Sequence, residues 1–153
     1  IYKIHRVSKV EMPLKFYEDF DVFKIFPLDV GLLGAMTDVP ASKLLVGDNC
    51  FTEFKGAFTE CYVNEQLARI QIPTYYFSGN DTEIEIDFAV QTENRVIPIE
   101  VKSEESVRSK SLKTYINKNP SLKGLRVSMK NYIDQGWMEN VGLYAIEGYL
   151  RKS

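Results

Sequence analysis

Histidine and cysteine are scarce in this sequence, which has one histidine and two cysteines among 153 residues. The single His5 excludes a metal site built from several histidines. Cys50 and Cys61 show neither a disulfide framework nor a metal-binding spacing, so a reducing, cytoplasmic environment is expected. No apolar run approaches the roughly 20 residues that a membrane span needs, and no signal peptide is visible. We therefore expect no membrane partner.

An excess of basic residues is also missing, because the formal net charge is -2 and the pI is about 5.5. This acidic net charge argues against a protein that coats nucleic acid by general neutralisation of phosphates. The same net charge is compatible with a local basic groove. No G-x-x-x-x-G-K-[ST] motif occurs, so no ATP site is expected within these residues. The chain starts at Ile1 rather than at a methionine, which suggests a piece of a longer protein.

The first 50 residues are predicted to form an N-terminal arm or small subdomain. Apolar and polar residues alternate over residues 1–7, which predicts a short strand, and a second strand is predicted over residues 23–26. Asp29 is predicted to cap a helix from Val30 to Met36. A strand near Ile1 would lie at a sheet edge, where its exposure could promote oligomerisation.

Residues 51–153 are predicted to form the main domain. The order of elements is helix, three strands, helix and strand, which predicts an α/β (α+β) core with a central mixed sheet flanked by helices. The helices are predicted over residues 54–70 and 109–117, and the strands over 75–77, 82–90, 96–102, 125–129 and 142–146.

Two carboxylates stand on strands that a short turn connects. Asp87 and Glu100 are predicted on adjacent strands of a hairpin, with Ile84, Ile86 and Phe88 on the face opposite Asp87. If Asp87 and Glu100 share a face, their oxygens can bind a hard divalent cation such as Mg²⁺. A bound Mg²⁺ would activate water and polarise a phosphate.

Two further side chains could complete this constellation. Glu60, on the preceding helix, could be an auxiliary metal ligand. Lys102 lies two residues after Glu100 and so shares its face, where it could orient the water or stabilise a pentacovalent phosphate. The alternative is an ordinary sheet with a charged outer face, since E-x-K pairs recur by chance.

Basic residues downstream of these positions also have two interpretations. They are either solvated surface charges or the lining of a path for phosphates. Trp137 is interpreted as a core residue rather than a base-stacking group. The basic residues in question are Lys110, Lys113, Lys123, Arg126 and Lys130.

Blocks of residues along nearly the whole chain resemble a widespread prokaryotic family. It is the uncharacterised domain DUF4143, which follows an AAA-type ATPase module in predicted ATP-binding proteins. The blocks are Pro13-Leu14, Tyr17-Glu18-Asp19, Phe23-Lys24, Leu28-Asp29-Val30-Gly31-Leu32-Leu33, Phe54-Lys55-Gly56-Ala57-Phe58-Thr59-Glu60, Tyr62-Val63, Glu65-Gln66-Leu67, Glu85-Ile86-Asp87-Phe88, Ile97-Pro98-Ile99-Glu100-Val101-Lys102, Ser109-Lys110-Ser111-Leu112 and Leu143-Tyr144-Ala145-Ile146.

That family is similar to the PD-(D/E)xK nucleases, which have the restriction-endonuclease-like fold. The resemblance implies a metal site at Glu60, Asp87 and Glu100, with Lys102 as a further catalytic residue. One departure is Ile86, which stands where the superfamily motif has proline.

The resemblance implies one partner and leaves several functions open. The partner is an AAA-type ATPase module upstream in the same polypeptide. The first hypothesis is a Mg²⁺-dependent nuclease, a hydrolase of DNA or RNA. The second is a catalytically silent interaction or regulatory domain for the ATPase. A third, nucleic-acid binding without cleavage, lies between them. A fold does not establish an activity, so the site has to be argued separately.

Overall fold

A mixed β-sheet with helices on both faces organises the protein. A computed structural model describes residues 1–38, 52–80, 83–103 and 109–153. The strands are β1 (Tyr2–Val7), β2 (Glu18–Phe26), β3 (Thr74–Ser78), β4 (Glu85–Gln91), β5 (Val96–Val101), β6 (Gly124–Ser128), β7 (Ile133–Asp134) and β8 (Met138–Gly142). The α-helices are α1 (Val30–Met36), α2 (Thr52–Arg69), α3 (Lys110–Lys118) and α4 (Ile146–Leu150), and short 3₁₀ helices span Leu14–Tyr17 and Leu143–Ala145.

The strand order in the described sheet is β2-β1-β3-β4-β5-β6-β8-β7. Strands β3, β4 and β5 form an antiparallel meander, and β6 joins β5 in parallel after the crossover through α3. The elements from α2 to β6 therefore run helix, three strands, helix, strand, as the sequence predicts. The predicted α/β class, with a mixed sheet between helices, is confirmed.

Two apolar clusters cover the two faces of the sheet. The first packs beneath α2 and α4 and includes Cys61, Leu67, Ile99 and Ile146. The second packs beneath α3 and includes Leu112. Strand β5 is buried along its whole length because both of its faces are covered, which is typical of central strands in α/β proteins.

The N-cap predicted at Asp29 is confirmed. Asp29 is the N-cap of α1, and its Oδ1 accepts a 2.7 Å hydrogen bond from the Leu32 N–H. That bond satisfies one of the donors that the first turn of a helix leaves free. The predicted helices over residues 54–70 and 109–117 correspond to α2 and α3 within two residues at each end.

The strand predicted over residues 142–146 is wrong. Strand β8 ends at Gly142, and the following residues form a 3₁₀ turn and then α4. The run Leu143-Tyr144-Ala145-Ile146 is too short for its apolar pattern to distinguish strand from helix. Burial of Ile146 and Leu150, four residues apart, favours the helix.

The predicted edge position of the strand near Ile1 is also wrong. Strand β1, near Ile1, is internal: it pairs antiparallel with β2 and parallel with β3. Strand β2 is at the edge, and it begins at Glu18 rather than Phe23. The predicted division into residues 1–50 and 51–153 stays a prediction, although β1 and β2 extend the sheet of the second segment. Cys50 lies outside the described residues.

Candidate functional site

Asp87 lies in a β-bulge of β4. The pairings Tyr75 with Ala89 and Phe77 with Ile86 leave Asp87 and Phe88 together opposite the single residue Tyr76. A bulge of this kind interrupts the alternation of side chains. Phe88 therefore packs in the cluster beneath α2, whereas Ile86 packs in the cluster beneath α3.

The prediction that Ile84, Ile86 and Phe88 share one face is therefore wrong. Ile84 and Ile86 do share a face, but the extra residue in the strand turns Phe88 to the other one. Among the charged groups, Glu60 of α2 has the largest effect on the pKa of Asp87 and raises it.

The Asp87 carboxylate lies where β4 and β5 separate. The ladder between the two strands ends at the pair Phe88–Ile99, although β4 starts earlier, at Glu85, and β5 continues to Val101. In the gap, Asp87 Oδ2 accepts a 2.7 Å hydrogen bond from the Val101 N–H. The carboxylate thus replaces a backbone acceptor at the open end of the hairpin.

The electrostatic environment of Asp87 opposes its ionisation. Burial raises the pKa of Asp87 to about 7, and the charges of Glu60 and Glu100 act in the same direction. The Val101 N–H and the Lys24 ammonium lower this pKa, but less strongly. A carboxyl group that keeps its proton near neutral pH is a common feature of functional sites.

Glu60 of α2 and Lys24 of β2 form one side of this site. Lys24 Nζ lies 2.5 Å from Glu85 Oε1 and 4.0 Å from Glu60 Oε2. Burial raises the pKa of Glu60, and Lys24 and Lys102 counteract this rise. Burial lowers the pKa of Lys24, but its bond to Glu85 and the nearby acids outweigh that effect and raise it.

Glu100 and Lys102 form the other side. Lys102 Nζ lies 3.0 Å from Glu100 Oε1, so the predicted pairing of the two is present. Glu100 is only 5% exposed, and its second oxygen, Oε2, is buried without a hydrogen-bond partner among the described residues. Ile99 and Val101 pack beneath α2, so strand alternation directs Glu100 to the face of α3.

On that face Glu100 meets Arg126. The two residues are opposite each other in the parallel pair of β5 and β6. Burial lowers the pKa of Arg126, and the Glu100 charge works against this shift. The Arg126 Nε donates a 2.8 Å hydrogen bond to Asn140 Oδ1, which fixes the side chain.

The four predicted site residues interact in two pairs. Glu60 has the largest charge effect on Asp87, and Glu100 forms an ion pair with Lys102. The two pairs also interact, since Glu100 raises the pKa of Asp87 and Lys102 lowers the pKa of Glu60. Within the described ranges, no three acidic, cysteine or histidine side chains are placed to hold a metal ion. A cation shared by Asp87 and Glu100 stays a prediction.

Sequence reasoning missed Lys24 and Glu85, which contact this cluster. The available signal was a lysine inside the otherwise apolar run Phe23-Lys24-Ile25-Phe26. The two interpretations of the basic residues downstream both stay predictions. Four of the five line one open pocket, whereas Lys123 pairs with Asp134 and Glu139 elsewhere. The four are Lys110, Lys113, Arg126 and Lys130.

A family model described as a domain of unknown function, DUF4143, matches residues 55–145. The chain belongs to the DUF4143 family. The match covers more than half of the chain and includes Glu60, Asp87, Glu100 and Lys102, whereas Lys24 precedes it. No curated protein and no solved structure matches this DUF4143 chain. Among the helices in the described ranges, none has the length and apolar character needed to cross a bilayer.

Proposed function

We propose that this DUF4143 domain hydrolyses phosphodiester bonds of nucleic acid with the help of Mg²⁺. The main support is the position of Asp87, in the gap between β4 and β5, under the electrostatic influence of acids from α2 and β5. The succession of α2, the three-stranded meander, α3 and β6 is compatible with a restriction-endonuclease-like core. The sequence resemblance to PD-(D/E)xK nucleases supports the same assignment.

The donor atoms at this site suit Mg²⁺. Asp87, Glu100 and Glu60 offer carboxylate oxygens, which are the ligands that hard divalent cations prefer. Glu100 Oε2 is a buried acceptor without a partner in the described part of the chain, and a cation would satisfy it. The bound metal would supply a water of lowered pKa and polarise the phosphate.

The residues of the chain then have separable roles. The Val101 N–H fixes one oxygen of Asp87, and the other oxygen would serve as a ligand. Lys102 Nζ would donate to a non-bridging phosphate oxygen and stabilise the negative charge that develops there. Lys24 holds Glu85 and lies near Glu60, which limits repulsion among the acids.

The pairing of this domain with an AAA-type ATPase module of the same polypeptide is part of the proposal. In that arrangement the ATPase module hydrolyses ATP, and the present domain acts on the nucleic acid that the ATPase module binds. DNA and RNA are both candidate substrates.

Cleavage of labelled DNA and RNA in Mg²⁺ or Mn²⁺ tests the proposed activity. Asp87→Asn and Lys102→Gln should each lower the rate about a hundredfold or more, because each removes a group that acts in the transition state. The matched controls are Asp21→Asn and Lys152→Gln, which make the same changes at exposed positions. Equal cleavage by all five proteins would indicate a contaminant and overturn the assignment.

A second candidate function is a protein-interaction domain for the ATPase. A row of apolar side chains along and beside the edge strand β2 favours it: Phe16, Phe20, Phe23 and Ile25 are 79%, 68%, 41% and 60% exposed. Exposed apolar groups on an edge strand are typical of binding surfaces. This alternative predicts no cleavage by any variant, together with binding of the ATPase module that Phe20→Ser and Ile25→Ser weaken.

A further inference from the structure

A basic pocket opens beside the N-terminal end of α3, on the sheet face opposite α2. Its volume is about 370 Å³. The described lining residues include four cationic side chains and no acidic one: Ser109, Lys110, Lys113, Arg126, Lys130, Ile133, Gln135 and Trp137. In a chain of net charge -2, such a concentration of positive charge marks a place where an anion is favoured.

Ser109 contributes a hydroxyl to this pocket. The residue is 9% exposed, and its buried Oγ has no hydrogen-bond partner among residues 1–38, 52–80, 83–103 and 109–153. It stands at the N-cap of α3, yet it makes no side-chain bond to the helix, and the first turn contains no acidic residue. The hydroxyl and the free N–H groups of that turn are therefore available to an acceptor such as a phosphate oxygen.

Arg126 forms a fixed cationic wall of the pocket. It is 4% exposed, and Asn140 accepts its Nε hydrogen bond at 2.8 Å. Asn140 Nδ2 in turn donates to the carbonyls of Lys130 and Asn131. This buried network orients the guanidinium and the Lys130 backbone before any ligand arrives. A guanidinium held in this way is a fixed positive charge, which favours an anion in the pocket.

Trp137 adds an aromatic surface next to the cationic one. It is partly buried against the second apolar cluster, and Lys113 Nζ lies 5.9 Å from its ring centroid. Ile133, 44% exposed, adds an apolar rim. Inorganic phosphate offers no apolar surface to contact Trp137 and Ile133. A nucleotide does, because its base can stack on an indole ring.

We propose that this pocket binds the phosphate of a nucleotide, with the base against Trp137. Lys110, Lys113 and Lys130 supply mobile positive charge, Arg126 supplies a fixed positive charge, and Ser109 supplies an oriented donor. The nucleotide is either free or part of a single-stranded nucleic acid. The site does not depend on the proposed cleavage, since binding here requires neither a metal nor an intact Asp87.

The fluorescence of Trp137 is a direct probe, because it is the only tryptophan in the sequence. Metal-free protein is titrated at low salt with inorganic phosphate, adenosine, AMP and a single-stranded oligonucleotide. AMP should change the emission with a Kd of about 1 mM or tighter, and adenosine should bind at least about tenfold more weakly. If the oligonucleotide binds about tenfold more tightly than AMP, the ligand is a single strand. If the two bind equally tightly, the ligand is a free nucleotide.

Three variants distinguish specific binding in this pocket from non-specific electrostatic attraction. Lys113→Gln and Lys118→Gln remove the same charge from the same helix, but Lys118 is outside the pocket lining. Lys113→Gln should weaken AMP binding about tenfold and Lys118→Gln should leave it unchanged. Ser109→Ala should weaken AMP binding without lowering Tm, because it removes a buried hydroxyl that has no partner in the described part of the chain.

Two results would overturn the proposal. One is the absence of any emission change with AMP or the oligonucleotide up to about 10 mM. The other is equal weakening by Lys113→Gln and Lys118→Gln together with unaltered binding by Ser109→Ala. Loss of nuclease activity in Asp87→Asn with intact AMP binding would leave the pocket in place, so the two proposals fail separately.

Discussion

The Asp87 carboxylate accepts a 2.7 Å hydrogen bond from the Val101 N–H, just beyond the last paired residues of β4 and β5. This one bond ties the bulged strand to the strand that contains Glu100 and Lys102. It also fixes the carboxylate in a partly buried gap, close to Glu60. The position of Asp87 therefore has consequences for stability as well as for the proposed activity.

Stability should depend on pH through Asp87. The folded protein keeps the Asp87 proton up to about pH 7, whereas the ordinary value of 3.8 applies to the unfolded chain. Between these values the folded state binds more protons, so the free energy of unfolding falls as pH rises. This contribution is fully present below pH 3.8 and is lost as the pH passes through 7.

Asp87→Asn should remove that dependence while keeping an acceptor for the Val101 N–H. Relative to the native protein, the variant should gain about 3 kcal/mol of unfolding free energy between pH 4.5 and pH 8. Urea denaturation in the presence of a chelator measures the difference. The exposed Asp21→Asn is the control and should show no such trend. A constant difference for Asp87→Asn would contradict the raised pKa.

Phe88 packs in the apolar cluster beneath α2, and a pair of phenylalanine variants tests its burial. Phe88 is fully buried and Phe16 is 79% exposed. Phe88→Ala should lower the free energy of unfolding by about 3–5 kcal/mol through lost burial and a residual cavity. Phe16→Ala should change it by about 0.5 kcal/mol or less. Similar values for the two variants would show that Phe88 does not face the core.

The buried Asn140 should be a strong determinant of stability. It accepts hydrogen bonds from Arg126 and Ser128 and donates two to backbone carbonyls. Asn140→Ala leaves several buried polar groups without this partner, so a loss of about 3 kcal/mol is expected from chemical denaturation. Asn117→Ala, at an exposed position of α3, is the control. A loss below about 1 kcal/mol would mean that water replaces the Asn140 network.

Local sequence signals predicted much of this fold. The Asp29 cap and the periodicity of α2 identified their helices because capping and burial of one face are short-range properties. The bulge at Asp87 and Phe88 could not be predicted in this way. The alternation of residues 84–90 is locally regular, and only pairing with β3 reveals the extra residue.

The site was predicted only in part for the same reason. Sequence spacing put Glu100 and Lys102 on one face, and their 3.0 Å contact agrees. The approach of Lys24 depends on β2 lying beside β1 and β1 beside β3, a long-range arrangement with no local signal. The burial of Arg126 behind Asn140 likewise depends on the parallel pairing of β6 and β8.

The central claim is that Asp87 and Glu100 bind one divalent cation, and titration with Mn²⁺ followed by electron paramagnetic resonance tests it most directly. The native protein and the Asp21→Asn control should each bind one Mn²⁺ per chain, and Mg²⁺ should compete for it. Asp87→Asn and Glu100→Gln should each weaken that site about tenfold or more, since each removes a charged oxygen ligand. Unchanged Mn²⁺ binding in both variants, or no binding by the native protein, would contradict the account.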